Sequence, residues 1–203
     1  MSTRRAVLAC APLLLFLGSC SEPPKKAKEP EKPAEPVGAQ YAFHQVFLTA
    51  RTWAPDLLGM QIRDLPINSV KPVDGKRAAW AVTVVSPSKG KARTYTYSVV
   101  EEDTIHKGVF AGLEEDYSGP RGQTVAWPVQ AFKTDSVGAY ETAAAKSADF
   151  MQKHPDIPVT FLLEQNSRYP FLTWRVIWGT SVASSGYSVY VNASTGEFLE
   201  KVR

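Results

Sequence analysis

Cysteine is scarce in this chain. Only Cys10 and Cys20 occur, both within the first 20 of 203 residues. Everything after them is therefore without a disulfide, a thiolate zinc site or a cysteine nucleophile. Histidine is almost as rare. His44, His106 and His154 are far apart, and none stands three or four residues from another histidine in a metal-binding pattern. No Gly-x-Ser-x-Gly elbow and no phosphate-binding loop is present. Charge of one sign is lacking too. Lys and Arg number 23 against 20 Asp and Glu, a net +3, which excludes nucleic-acid binding built on gross positive charge. Long apolar runs are absent; the longest, Ala6–Leu17, is too short to span a bilayer. What remains is 44% hydrophobic and 11% aromatic, enough to build the core of one larger domain or two small ones.

The short apolar run has a different meaning. Arg4 and Arg5 precede it, and Leu17-Gly18-Ser19-Cys20 closes it. That order of basic, apolar and small residues is a signal peptide over 1–19. Its end resembles the bacterial lipobox, in which the cysteine becomes N-terminal and carries a thioether-linked diacylglycerol. The resemblance implies lipidation at Cys20, including palmitate, and anchoring to a membrane through acyl chains. Ser21 follows the cysteine, as in lipoproteins sorted to the outer membrane and facing the periplasm. The expected location is thus the bacterial cell envelope. Residues 20–39 read as a tether. Five of the nineteen residues from 21 to 39 are Pro, and four Lys balance four Glu. Such a stretch has little to bury and is expected to stay disordered and extended.

The remainder reads as one pattern used twice. Val46, Ala50, Trp53 and Leu57 lie on one helical face, with Pro55 limiting the helix. Ile67–Val73 is a weak strand candidate. Ala79–Val85 alternates, with Trp80, Val82 and Val84 on one side. After a Pro/Gly loop, Thr94–Val100 alternates with Tyr95, Tyr97 and Val99, and Ile105–Ala111 closes the set. The second set begins with a small-residue helix through Tyr140, Ala144, Ser147, Ala148 and Met151, capped by Asp135 or Ser136 and ended by Pro155. Strands follow at Val159–Glu164, Leu172–Trp178, Tyr187–Val191 and Glu197–Val202. The expected fold class is α+β: two tandem units, 40–111 and 136–203, each a helix packed on an antiparallel sheet, joined by a linker at 112–135. Stacking the units would cover the sheet faces that their helices leave open.

The end of the chain, Tyr190-Val191-Asn192-Ala193-Ser194-Thr195-Gly196-Glu197-Phe198-Leu199, resembles the closing hairpin of PepSY domains. Trp174-Arg175-Val176 matches their preceding strand, and Ala143, Ala144 and Ala148 their alanine-rich helix. The family's Asp is Asn192 here, and the first unit matches by topology only. The resemblance implies an extracytoplasmic module that binds or restrains a peptidase, with no catalytic residues.

Three sets of residues are left as candidates. Asn192, Thr195 and Gly196 form a structural turn, with Gly196 free to take positive φ. Glu101-Glu102-Asp103 and Glu114-Glu115-Asp116 lack the alternating ligand spacing of a calcium loop and read as solvated turns. The aromatics Trp80, Tyr97, Trp174 and Trp178 are core by alternation, and a possible binding surface if their face is open. The expectation is a non-catalytic, lipid-anchored binding module without metal or cofactor. It would engage a protein or peptide partner and no nucleic acid. The alternative is a structural or assembly lipoprotein of the envelope with no peptidase link.

Overall fold

The computed structural model describes residues 33–203. The signal peptide, Cys20 and the tether up to residue 32 lie outside the described residues. The chain enters the fold earlier than its composition suggests. Val37 exchanges two backbone hydrogen bonds with Arg77, its N–H to the Arg77 carbonyl at 3.0 Å and its carbonyl to the Arg77 N–H at 2.9 Å. The Val37 carbonyl also accepts from Trp80 Nε1 at 3.0 Å. Ala39, expected in the tether, opens the first helix and is fully buried.

The elements are α1 (Ala39–Ala50), β1 (Leu58–Leu65), β2 (Ala79–Ser86), β3 (Lys91–Ser98), β4 (Gly108–Asp116), β5 (Thr124–Val125), α2 (Ser136–Ala145), α3 (Ala148–Lys153), β6 (Val159–Asn166), β7 (Tyr169–Trp178), β8 (Tyr187–Asn192) and β9 (Phe198–Val202). A single 3-10 turn, Val129–Ala131, precedes α2. Among the described residues all the strands belong to one antiparallel sheet in the order β4-β3-β2-β1-β6-β7-β8-β9, with β5 paired to β6. The order runs outward from the middle twice, β1 to β4 on one side and β6 to β9 on the other.

The class is therefore α+β, but the halves are not stacked. They are joined side by side through the ladder Gln61↔Glu164, Ile62↔Leu163 and Arg63↔Leu162. One core follows from this. Ala42, Val46 and Ala50 of α1 and Ala139 and Ala143 of α2 lie in the same buried cluster as Ile62, Trp80, Val82, Phe161, Trp174, Val176 and Val189. Small residues on both helices let their axes come close to a sheet face carrying three fully buried tryptophan rings.

Local sequence explains the departures from expectation. The first strand is Leu58–Leu65, not Ile67–Val73, and the latter segment forms a loop. Glu102 holds that loop, its carboxylate accepting from the Asn68 N–H at 2.8 Å and the Ser69 N–H at 3.0 Å. The fourth strand runs to Asp116 rather than ending at Ala111. The 112–135 segment is structural rather than a linker. Trp127 is fully buried, exchanges backbone hydrogen bonds with Gly59 at 2.8 and 2.9 Å, and donates Nε1–H to the Met60 carbonyl at 3.1 Å. The helix read through Met151 breaks at Lys146–Ser147 into α2 and α3.

Candidate functional site

The middle of the sheet is where the two halves meet, and there the strand ladder stops early. Beyond Arg63↔Leu162 the two central strands part. Asp64 takes over the pairing. Its Oδ1 accepts the Phe161 N–H at 2.8 Å, and its Oδ2 accepts from Arg77 Nε at 3.2 Å. The Arg77 guanidinium carries the link onward. Nη1 donates to the Val73 carbonyl at 3.2 Å and the Lys76 carbonyl at 2.7 Å, and Nη2 donates to the Val159 carbonyl. The same group lies 4.7 Å over the Phe161 ring. Both side chains of the pair are only 10% exposed. Burial pushes the Asp64 carboxyl above the usual carboxylate range, against the pull of the Phe161 N–H and the Arg77 charge. Burial also lowers Arg77, against the charge of Asp64. Both shifts have one cause, the loss of water around two charges at the seam.

Next to this pair lies a pocket of about 380 Å3. Val73 and Asp74 form one wall, Tyr140 of α2 and Met151 of α3 a second, and His154 and Trp178 contribute further along. Tyr140 and Asp74 line the pocket together. Burial first, and then the Asp74 charge, raise the Tyr140 pKa. His154 packs on Phe150 at 4.6 Å, and Phe150 in turn stacks on Tyr187 at 4.2 Å. The lining is mixed: prolines, aliphatic and aromatic surface, and a few polar groups engaged within the fold. Such a lining offers apolar and aromatic surface with a few polar groups at its margins. Among the described residues, no group of three or more His, Cys, Asp or Glu is placed to hold a metal ion. No helix among them is long and apolar enough to cross a membrane.

The residues singled out by sequence fall elsewhere. Trp80 and Trp174 are fully buried core side chains under the helices and do not make a binding surface, while Trp178, 2% exposed, packs in the same core and reaches the lining of the pocket. The alternation that placed them on one strand face was read correctly; both helices cover that face. Tyr97 is half-buried and meets the exposed Tyr41 ring edge-on at 5.8 Å. Burial pushes its pKa up to about 12. In the closing turn Gly196 takes φ +78°. Asn192 Oδ1 accepts from the Ser194 and Thr195 N–H groups at 2.8 and 3.2 Å, and Thr195 Oγ1 donates to Glu197 at 3.0 Å. Thr142 of α2 donates to the Gly196 carbonyl at 3.1 Å, which ties the turn to the helix above it.

The acidic triplets are not clusters. Glu101 accepts from the Lys107 N–H and pairs with His106 Nδ1 at 2.6 Å, and these contacts lower its pKa. Glu114 accepts from Trp53 Nε1 at 2.7 Å, Glu115 from Arg121 at 2.6 Å and Asp116 from Lys91 at 2.6 Å. Sequence reasoning missed the Asp64–Arg77 pair and the Asp74–Tyr140 contact. The residues are distant in sequence, and no local periodicity marks them. Asp64 stands among polar residues of β1 and Arg77 follows the turn Asp74-Gly75-Lys76, so neither is marked out locally.

No protein-family model matches the chain, and no curated protein matches it in sequence. Among solved structures, a Clostridium difficile 630 protein described as a lipoprotein is similar to it with a TM-score of 0.43 at 9% identity. The likeness covers 79% of this chain and 91% of that one. At that level it carries no conclusion about function.

Proposed function

We propose that this chain is a lipoprotein of the bacterial envelope, held by lipid on Cys20, whose folded body is a non-catalytic module for a protein or peptide partner. The observation that carries the binding reading is the pocket beside the seam. It offers about 380 Å3 of mixed aromatic, proline and aliphatic lining, while the Arg77 guanidinium beside it is already engaged within the fold. An apolar or aromatic side chain of a partner suits such a cavity. The anchor reading rests on Leu17-Gly18-Ser19-Cys20 and the Pro/Lys/Glu-rich stretch behind it. The PepSY-like closing hairpin makes a peptidase the first partner to try, and Ser21 makes the outer membrane the first place to look.

The alternative, an assembly lipoprotein with no peptidase link, is favoured by one feature, the open β4 edge treated below. One experiment addresses anchor and pocket together. Cross-linking and capture from membranes is carried out with the wild type, Met151→Lys and Cys20→Ala. Met151→Lys should lose the partner while remaining membrane-bound. Cys20→Ala should lose palmitate labelling and leave the membrane fraction. A partner retained in full by Met151→Lys refutes the pocket, and palmitate labelling of Cys20→Ala refutes the anchor.

A further inference from the structure

The sheet ends in two edges, and they differ. β9 is five residues long, with Glu200 and Lys201 in its middle and Arg168 bound to Glu200 at 2.6 Å. Charges of this kind protect an edge from pairing with another strand. β4 is nine residues long and pairs with β3 only. It contains no proline, and it carries two of the exposed large hydrophobic side chains, Phe110 at 50% and Leu113 at 88%. Its three carboxylates, Glu114, Glu115 and Asp116, stand together at one end, and the uncharged stretch 108–113 of such an edge strand is a template for a further strand.

The bulge in β4 indicates which strand fits. Tyr95 faces Ala111 and Arg93 faces Glu114, so Gly112 and Leu113 together stand opposite Thr94. Alternation is broken at that point. Phe110 is opposite Thr96, and Glu115 is opposite Ala92, both on the sheet face away from the helices, while Ala111 and Glu114 follow Tyr95 and Arg93 on the helix side. Leu113 therefore shares the outer face with Phe110. A regular partner strand, with unbroken alternation, would match one of the two and present the wrong face to the other. A second copy of β4, antiparallel and related by a two-fold axis between Ala111 and Gly112, has the same break in the same place. Phe110 then lies opposite Leu113 of the other copy, twice, as an apolar cross-strand pair. In the same register Val109 lies opposite Glu114 of the other copy, both on the helix side.

We propose that β4 is a self-association edge, through which two copies of this chain join their sheets in this register. The inference does not rest on the pocket or on the identity of any partner. The test is sedimentation velocity on the full chain in detergent, over a concentration series, with far-UV circular dichroism to verify folding. Both substituted positions are exposed, so the fold should be retained. Wild type should reach twice the protomer mass. Phe110→Lys with Leu113→Lys should stay at protomer mass, because lysines then oppose each other across the axis. Phe110→Lys with Leu113→Glu should regain the dimer, because each lysine then meets a glutamate. A wild type that stays monomeric throughout overturns the proposal and leaves the edge to a different protein. Equal behaviour of the two double variants overturns the register.

Discussion

Asp135 serves two helices at once. Its Oδ1 accepts the Ser136 N–H at 2.7 Å, capping α2, and the Gln40 N–H at 2.8 Å, in the first turn of α1. Ser136 Oγ accepts the Ala39 N–H at 2.9 Å, while Gly38, at the N-cap of α1, contributes no side chain. A side chain at Gly38 would collide with the Asp135 carboxylate, 2.0 Å from an added Cβ. Asp135→Ala should therefore cost about 1–3 kcal/mol in urea denaturation, more than a single lost cap. Asp135→Asn, which keeps an acceptor, should cost less. Equal, negligible losses for both would remove the shared-cap account. Close to this cap, Gly196→Val should cost about 1–3 kcal/mol through strain at φ +78°, since an added Cβ has room beside Thr134. Ser194 needs no positive φ, but its Oγ donates to the Ala131 carbonyl at 2.8 Å, so Ser194→Val loses one hydrogen bond and should be the milder change. Asp56 supplies a pH dependence. The Ser86 hydroxyl at 2.5 Å and the Ser88 N–H at 2.7 Å lower its pKa from 3.8 to about 2. A carboxyl lowered on folding stabilises the fold above its unfolded pKa and loses that effect as pH falls through the folded one. Wild type should thus exceed Asp56→Asn in thermal midpoint at neutral pH, and the gap should close between pH 3.8 and about 2. A gap that is constant with pH would mean the serine contacts do not favour the ionised form.

At the scale of elements, the strands that were legible carry the densest β-branched and aromatic alternation. Trp80-Ala81-Val82-Thr83-Val84 and Trp174-Arg175-Val176-Ile177-Trp178 declare a face at every second residue. β1 was not legible. Gly59, Gln61, Arg63 and Asp64 are poor strand formers, and the strand exists because it is paired on both sides, by β2 and by β6. Trp127 falls in the segment read as a linker, and its burial against Gly59 and Met60 depends on that same unrecognised strand. The candidate pocket was illegible for a related reason, since its walls come from loops and helices that only the joined sheet brings together. The seam carries its own prediction. Arg77→Met would leave the Asp64 carboxylate buried without its cation and the Val159 carbonyl without its donor. The expected loss is about 3–5 kcal/mol. Burial already raises the Asp64 pKa, and a carboxyl raised on folding gains stability as pH falls. The loss in Arg77→Met should therefore shrink toward acid pH, as protonation removes the buried charge. Adding Asp64→Asn should recover part of it at neutral pH. An additive double variant would show that the two groups do not act as a pair.

Across the whole molecule, the question is whether the two halves are domains. Each has four strands of the sheet, with one helix in the first half and two in the second, and either alone would suggest an independent unit. The contacts between them argue otherwise. The Trp80 and Trp174 rings, one from each half, have centroids 6.5 Å apart, and Phe161 lies 6.1 Å from both. Phe132 reaches Trp174 at 5.9 Å and Phe43 of α1 at 5.5 Å, so the aromatic cluster runs unbroken from the first helix to β7. Separating the halves would expose these rings, open the β1–β6 ladder, uncap α1 and bare the Asp64–Arg77 pair together. Large buried side chains are worth about 1.5–3 kcal/mol each. Four or five of them lost at once would exceed the net stability of a typical domain, about 5–15 kcal/mol. The described body should therefore unfold in one transition, with tryptophan fluorescence and far-UV circular dichroism giving the same midpoint in denaturant. Fragments 33–117 and 118–203, expressed separately, should each lack a cooperative transition and regain one on mixing. Two resolved transitions in the intact chain, or a fragment that folds alone, would show that the shared sheet is a docking of domains rather than a single folding unit.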